Sequence, residues 1–230
     1  MKPCFKRIIL DVSDLQKDPI ENIHYFPDED NILKGYALII GPEKTPYEGG
    51  CYMFTFEFNE EYPYKPPKVI FESNDGVTRY NPNFYRNGKV CLSILNTWNG
   101  EPWSACQSIR SILITLQITM NENPLLNEPG VTMENHYTCI RKYNQIITFK
   151  NMEQNIIRYM ENPSLIPIQN ESILAAIKEH FLTYRGRLNE RLETTKDNMV
   201  RKIQLTIYNQ NAMIDYRRLL ELFLSIETSE

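Results

Sequence analysis

The segment that most constrains the fold runs from residue 51 to residue 58, where aromatic side chains recur at every second position. They are Tyr52, Phe54, Phe56 and Phe58. Successive side chains of a strand point to opposite faces of a sheet, so this period of two places all four on one face. Four aromatic side chains on one face need a substantial hydrophobic core behind them. The segment is therefore predicted to be a strand that packs on the core.

Two further strands are predicted on either side of this segment, at about residues 35–40 and 68–72. The turn at residues 41–46 separates the first from the aromatic strand. Residues 62–67 lie between the aromatic strand and the strand at 68–72. Their three prolines exclude regular structure, because each removes a backbone donor. Residues 25–72 thus indicate an antiparallel meander of three or four strands.

Helical periodicity flanks the meander on both sides. Apolar residues recur at helical spacing in residues 5–16 and again in 108–122. Two longer helical stretches are predicted at about 132–160 and 170–226, the last with a break near 194–197. Residues 73–107 form a long irregular segment, and its aromatic content favours a functional loop over disorder. Strands and helices are segregated along the chain, which predicts an α+β fold.

Composition excludes several classes of protein. The chain has 230 residues and a net charge of −4, which argues against a dedicated nucleic-acid binder because phosphate binding needs a cationic surface. No apolar run approaches the ~20 residues that span a bilayer, and the N-terminus lacks the apolar core of a signal peptide. A cytosolic or nuclear protein is expected. The five cysteines are odd in number and irregularly spaced, which predicts reduced thiols rather than disulfides or a metal site.

Cys91 lies in the irregular segment, shortly after the turn Asn81-Pro82-Asn83. A cysteine is more often a packing residue than a catalyst, so its surroundings must support a chemical role. A cysteine protease needs a histidine base, and no histidine flanks Cys91. Exchange of an already activated thioester needs only a modestly acidic thiol and a group that stabilises the tetrahedral oxyanion. The side-chain NH₂ of Asn83 can serve that purpose, or it can bond the backbone of its own loop, and both roles are compatible.

A set of motifs in fixed order resembles the ubiquitin-conjugating enzymes, the E2 family, over roughly residues 5–130. The motifs are Gly41-Pro42, Thr45-Pro46-Tyr47-Glu48-Gly49-Gly50, Tyr62-Pro63-Tyr64-Lys65-Pro66-Pro67-Lys68-Val69, Asn81-Pro82-Asn83, Gly88-Lys89-Val90-Cys91-Leu92-Ser93-Ile94-Leu95, Trp98 and Trp103-Ser104. Each motif is weak alone, but the ordered set is highly specific. The insert between the two tryptophans and the turn at residues 127–130 resemble the branch that contains the E2 domain of Bruce (Apollon) and the E2 that carries ubiquitin or FAT10.

The resemblance implies the UBC fold. This fold has an N-terminal helix, a four-stranded antiparallel meander, an active-site loop and a central helix, to which this chain adds an extended C-terminal helical region. The implied division is a catalytic core at residues 1–160 and a C-terminal helical extension at 161–230. Two interpretations of the extension stay open: it packs on the core or on itself, or it binds a partner such as a dedicated E1 or mediates dimerisation.

The resemblance also implies roles for individual residues. Cys91 would accept ubiquitin or a ubiquitin-like modifier from an E1 as a thioester and pass it to a lysine or to an E3. Asn83 would support the loop and the oxyanion. A RING- or HECT-type E3 would contact Pro63, Tyr64, Ser104 and Ala105. The E1 would contact Lys6 and Arg7. Protein substrates are implied, with no nucleic acid, no membrane, no metal and no cofactor, since the E1 uses the ATP.

Four positions depart from the family pattern. Asn81 replaces the usual histidine, which is mostly structural, and Ser93 and Ala105 replace a common aspartate and a common proline. The acidic loop that lowers the pKa of the incoming lysine in the family corresponds to Glu122, Asn123 and Asn127 here, and the fourth departure is the uncharged Asn123. Because the ordinary pKa of lysine is about 10.4, its deprotonation is costly near neutral pH, and Glu122, Asn123 or neither assists it. The alternative functions are a non-catalytic, E2-like ubiquitin-binding adaptor and a cysteine protease.

Overall fold

A helix precedes a four-stranded sheet in the computed structural model, which describes residues 1–226. Helix α1 spans Pro3–Lys17, and its first position suits proline because the missing N–H has no intrahelical partner there. The strands follow in chain order: β1 Ile23–Pro27, β2 Lys34–Ile40, β3 Cys51–Glu57 and β4 Lys68–Phe71. Neighbouring strands pair antiparallel in the order β1-β2-β3-β4. The predicted meander is confirmed, with four strands.

Strand β3 is buried on both of its faces. Tyr52, Phe54 and Phe56 are fully buried in the main core, as their alternation predicted. Cys51 and Met53, which point to the opposite face, are buried as well, in a second apolar cluster. A sheet with one solvated face would leave these two side chains exposed. A second layer of the protein therefore covers the outer face of the sheet.

The helices after the irregular segment follow the predicted pattern. Helix α2 spans Ile109–Thr119, and a reciprocal capping box between Ser108 and Ser111 begins it. Its apolar stripe is fully buried: Ile109, Ile112, Leu113, Leu116 and Met120. Helix α3 spans Met133–Met152 and continues through one π-helical turn, Glu153–Ile157, into the short helix α4, Arg158–Glu161. The helical stretch predicted at about 132–160 is confirmed.

The C-terminal extension supplies the outer layer. Helix α5 spans Glu171–Thr195. Its first turns place Ile173 and Ile177 in the outer cluster, against Leu38 and Met53 of the sheet. Further along the same helix, Phe181 joins the main core. The two halves of α5 thus attach the extension to two different parts of the molecule.

The prediction that helix resumes after the break near residues 194–197 is wrong over residues 201–214. Two strands, β5 Arg201–Leu205 and β6 Gln210–Ile214, form an antiparallel hairpin before helix α6, Tyr216–Leu224. The buried residues there alternate with exposed ones, which is the period of a strand. They are Ile203, Leu205, Ala212 and Ile214. The extension is thus helical only in part.

The apolar core runs continuously from the sheet into the extension, since residues of α5, β5, β6 and α6 belong to the same cluster as β3. The division at residue 160 stays a prediction, and the last four residues of the predicted extension, 227–230, lie outside the described residues. Within the part of the chain that the structure describes, no helix has the length and apolar character needed to cross a membrane.

Candidate functional site: the Asn83–Cys91 loop

The irregular segment folds so that Asn83 and Cys91 lie side by side. The Cys91 backbone N–H donates to the Asn83 carbonyl over 2.9 Å. In return, Asn83 Nδ2 donates to the Cys91 carbonyl over 2.7 Å. An antiparallel bridge between Phe84 and Val90 closes the loop between them, and Gly88 turns the chain with a positive φ of 83° that favours glycine. The backbone of a single loop therefore brings the predicted thiol and amide together.

Cys91 is only 2% exposed in this conformation. The side chain of Thr97 fixes the backbone around it: Thr97 Oγ1 donates to the Val90 carbonyl over 2.9 Å and accepts from the Leu92 N–H over 3.0 Å. These hydrogen bonds hold the backbone on both sides of Cys91 within the loop.

Asn81 occupies the place of the histidine that the family usually has, and it is fully buried. Its Nδ2 donates to the Tyr47 hydroxyl over 2.8 Å and to the Thr119 carbonyl over 2.9 Å. Its Oδ1 accepts from the Asn83 backbone N–H over 2.9 Å and from Asn127 Nδ2 over 3.4 Å. Both N–H groups and the oxygen of this amide have partners. Asn81 therefore holds the loop against the end of α2.

Glu122 and Asn123 follow α2, and Asn144 of α3 holds both. Asn144 Nδ2 donates to the Glu122 carbonyl over 3.0 Å and to Asn123 Oδ1 over 3.1 Å. The Glu122 side chain is exposed, whereas the Asn123 amide is half-buried. Across residues 1–226, no hydrogen bond connects either side chain to Cys91. Glu122 is the ionisable member of this pair.

Arg7 fixes α1 to the loop that precedes α2. Its guanidinium donates to the Ala105 carbonyl over 2.8 Å and to the Gln107 carbonyl. Its Nε also pairs with the buried carboxylate of Asp11 over 2.9 Å. The Tyr62 hydroxyl donates to the same carboxylate, and burial together with this bond raises the pKa of Tyr62. Arg7 is thus a structural tie as well as a predicted E1 contact.

The other predicted contact residues are neighbours in sequence of Arg7, Ala105 and Pro63, and hydrogen bonds join their segments. Trp103 is buried, and its Nε1 donates to the Pro63 carbonyl over 2.6 Å, which joins the two predicted E3 loops. Tyr64 is 80% exposed. Lys6 and Ser104 are exposed as well. The structure brings these residues together, while their binding roles stay predictions.

The three histidines are engaged away from the site. His180 Nε2 donates to the Gly49 carbonyl over 2.9 Å. His136 Nδ1 accepts from the Thr132 backbone N–H. Burial lowers the pKa of both His24 and His180. None of the three hydrogen-bonds to the candidate nucleophile within the described chain, so the geometry lacks the base that a cysteine protease requires.

Sequence reasoning missed Arg79, which lies just before the Asn-Pro-Asn turn. Its Nε donates to the Asn81 carbonyl over 3.0 Å and its Nη2 to the Pro82 carbonyl over 2.6 Å. Tyr208 of the extension lies over the same guanidinium, with 5.1 Å to the ring centroid. The position of Arg79 two residues before the turn is the one local feature that could have pointed to it. Nothing in the local sequence indicates its contact with Tyr208, because the two residues lie far apart in the chain.

Known proteins resemble this chain over most of its length. The family model for ubiquitin-conjugating enzymes matches residues 7–163. Ubiquitin-conjugating enzyme E2 Z of Danio rerio is 38% identical over 229 residues, which are 97% of this chain and 68% of that protein. The E2 Z of Homo sapiens is 41% identical over 182 residues, 79% of this chain and 51% of that protein. Ubiquitin-conjugating enzyme E2 1 of Caenorhabditis elegans is 35% identical over 166 residues, 70% of this chain and 79% of that protein.

The chain thus spans about half of the human relative, and its placement within the Bruce and FAT10 branch stays a prediction. The family assignment itself rests on the match over residues 7–163, on these identities and on the α+β architecture. The helix, the antiparallel meander and the loop that carries Cys91 all fall inside or overlap the matched range. The chain therefore belongs to the ubiquitin-conjugating enzyme family, the E2 transferases.

Proposed function

We propose that this chain accepts ubiquitin or a ubiquitin-like modifier from an E1 as a thioester on Cys91 and transfers it to a substrate lysine or to an E3. The observation that carries the proposal is the reciprocal pair of hydrogen bonds between Asn83 and Cys91. The pair fixes the thiol and a side-chain amide in one loop. A preorganised donor beside the reacting carbon is what acyl transfer requires.

The Asn83 amide has two N–H groups, and the Cys91 carbonyl takes one of them. The second has no acceptor among the described residues, so it can donate to the oxyanion that forms when a nucleophile attacks the thioester. Asn83 in this way holds the loop and stabilises the intermediate at the same time. The two roles considered for Asn83 from the sequence are therefore compatible in this geometry.

The chemistry has two balanced steps. In the first, the Cys91 thiolate attacks the E1 thioester, so a new carbon–sulfur bond forms on Cys91 as the E1 thiolate leaves. In the second, a neutral lysine amine attacks the same carbonyl carbon, and the Cys91 thiolate leaves as the amide bond forms. The amine must lose a proton, and Glu122 is the candidate for assisting that loss.

The family implies ubiquitin, an E1 and an E3 as partners in general. We extend this to a RING- or HECT-type E3 that contacts Pro63, Tyr64, Ser104 and Ala105, and to an E1 that contacts Lys6 and Arg7. The proposed enzyme needs no cofactor of its own, since the E1 uses the ATP. The cytoplasm or the nucleus is its proposed location.

A charging assay tests the proposal. The protein is incubated with ATP and a panel of E1 enzymes and modifiers, and adducts are separated with and without reductant. The wild type should form an adduct that reductant removes, and Cys91→Ser should form an oxyester that reductant leaves intact. Cys106→Ser is the matched control, because Cys106 is exposed and lies outside the loop. The absence of an adduct with every modifier would overturn the proposal.

One observation favours a second candidate, an E2-like adaptor that binds ubiquitin without catalysis. Cys91 is 2% exposed, as a relic thiol retained for packing would be. Such an adaptor would bind free ubiquitin in a titration and remain unmodified in the charging assay. A reductant-sensitive adduct on Cys91 would exclude this candidate.

A further inference from the structure

The tip of the β5–β6 hairpin holds a tyrosine in an unfavourable backbone conformation. Tyr208 has a φ of +62°. This value lies in the left-handed region, which bulky side chains rarely adopt. Its carbonyl accepts from Arg86 Nη2 over 2.7 Å, and its hydroxyl donates to the Glu128 carboxylate. Such strain persists where the surrounding contacts over-determine the conformation, and it concentrates at functional positions. The hairpin tip is thus fixed to two loops of the catalytic core.

The strained tyrosine is one of two aromatic residues that contact Arg79. The Arg79 guanidinium lies 3.4 Å from the centroid of the Tyr85 ring and 5.1 Å from that of Tyr208. Gln210, the first residue of β6, adds a hydrogen bond, since its Oε1 accepts from the Arg79 backbone N–H over 2.8 Å. A planar guanidinium in contact with two rings has few alternative orientations. Tyr208 and Gln210 of the extension thus act together with Tyr85 to hold Arg79 in place.

The side-chain N–H groups of Arg79 point at the turn that precedes the nucleophile. Arg79 donates to the carbonyls of Asn81 and Pro82 over 3.0 and 2.6 Å. The next residue, Asn83, is fixed by the Asn81 side chain and donates to the Cys91 carbonyl. An unbroken series of contacts thus leads from the hairpin tip to the thiol-bearing loop.

We propose that Tyr208 is a positioning residue for transfer at Cys91 and acts through Arg79 on the Asn81-Pro82-Asn83 turn. The inference rests on the proposed function, because it assigns a role in the same thioester chemistry. It also gives the extension a role, since the β5–β6 hairpin completes the support of the active-site loop. Tyr208 touches neither the modifier nor the sulfur in this role.

The experiment compares two substitutions of Tyr208. Tyr208→Phe keeps the ring over Arg79 and loses only the bond to Glu128. Tyr208→Asn removes the ring, and asparagine tolerates the positive φ, so the turn itself is retained. The enzyme is charged, the E1 is then quenched, and discharge of the thioester to free lysine is followed in a single turnover. We expect about tenfold slower discharge for Tyr208→Asn, since small misplacements far from the chemistry cost up to roughly 10²-fold. Tyr208→Phe should keep most of the wild-type rate.

Two further variants test whether the effect is specific to Tyr208 and whether it passes through Arg79. Tyr137→Ala removes a similar contact, since Arg141 lies 5.8 Å from the centroid of the Tyr137 ring on α3, away from the loop. It should leave discharge unchanged. Arg79→Lys should slow discharge as Tyr208→Asn does, and the double variant should be no slower than either single variant, because both substitutions break the same series of contacts.

The outcomes of this experiment are distinguishable. Discharge of Tyr208→Asn at the wild-type rate would overturn the inference and leave the proposed function intact. Additive effects of the two substitutions would also overturn it, since they would show that Tyr208 does not act through Arg79. A wild-type protein that forms no thioester at all would overturn the proposed function and the inference with it.

Discussion

At the scale of single residues, two asparagine amides, Asn81 and Asn83, have separate roles around Cys91. Asn81 uses both N–H groups and its oxygen to hold the turn, whereas Asn83 keeps one N–H beyond its bond to Cys91. A side-chain amide offers a donor and an acceptor without a charge. It can therefore replace a structural histidine in a buried position, and its hydrogen bonds do not change with pH.

Glu122 carries the first prediction at this scale. In the proposed function the exposed Glu122 carboxylate attracts the incoming lysine and assists its deprotonation, so Glu122→Gln should slow discharge to free lysine near pH 7. The defect should shrink as the pH rises towards the ordinary lysine pKa of about 10.4, where the amine loses its proton unaided. Single-turnover discharge between about pH 7 and about pH 9.5 measures this profile.

Charging by the E1 should be unaffected by Glu122→Gln, since it involves no amine. Asn123→Ala is the matched control, because it removes a neighbouring side chain that cannot take up a proton. A defect in Glu122→Gln that is the same at every pH would assign Glu122 to binding and not to proton removal.

At the scale of elements, Arg7 joins α1 to the loop before α2 through hydrogen bonds to two backbone carbonyls, and an ion pair within α1 holds its side chain in place. Arg7 donates to two backbone carbonyls and pairs with Asp11, whose carboxylate also accepts from Tyr62. The carboxylate is buried and depends on these partners for its charge to be tolerated. These contacts of Arg7 hold α1, which carries Lys6, against the loop that carries Ser104 and Ala105.

Arg7→Ala should therefore destabilise the protein by about 3 kcal/mol, because it leaves a buried carboxylate without its cationic partner. Urea unfolding followed by circular dichroism measures the change in the free energy of unfolding. Lys6→Ala is the control on the same helix, and its exposed side chain should cost no more than about 0.5 kcal/mol. Equal effects of the two variants would contradict the structural role assigned to Arg7.

At the scale of the whole molecule, the extension is a second layer over the sheet. The sequence indicated the first layer well, because the period of Tyr52, Phe54 and Phe56 reports the face of a strand directly. It did not indicate that the opposite face is buried too, since Cys51 and Met53 are buried by residues that lie over a hundred positions later in the chain. Contacts at such separation leave no periodic trace.

The hairpin was missed for a related reason. Strands β5 and β6 have five residues each and expose their polar positions. The alternation of apolar residues is therefore too short to distinguish a strand from the helix predicted there. The contact of Tyr208 with Arg79 depends on this hairpin and was therefore beyond reach as well. Cys91 and Asn83, by contrast, lie within one loop, and local sequence was sufficient to single them out.

Cys51 reports whether the outer layer stays in place. Its thiol lies in the outer cluster, which Tyr159 of α4 and residues of α5 cover, and burial there raises its pKa to about 12. At about pH 8 only about one such thiol in 10⁴ is ionised, and the thiolate is the reactive form. Cys51 should therefore resist thiol reagents at this pH, while the exposed Cys106 reacts. Cys51 becomes reactive only when the outer layer, of which α5 is a part, opens.

Ile173→Ala should loosen this layer, because Ile173 is fully buried against the sheet and its truncation leaves a cavity that costs about 2–5 kcal/mol. Labelling of Cys51, identified by peptide mass, should be faster in this variant, since α5 separates from the sheet more often. Leu182→Ala on the same helix is the control, because Leu182 is 51% exposed and should leave labelling unchanged. Protection of Cys51 that survives Ile173→Ala, despite a measured loss of stability, would show that α5 does not open independently of the core.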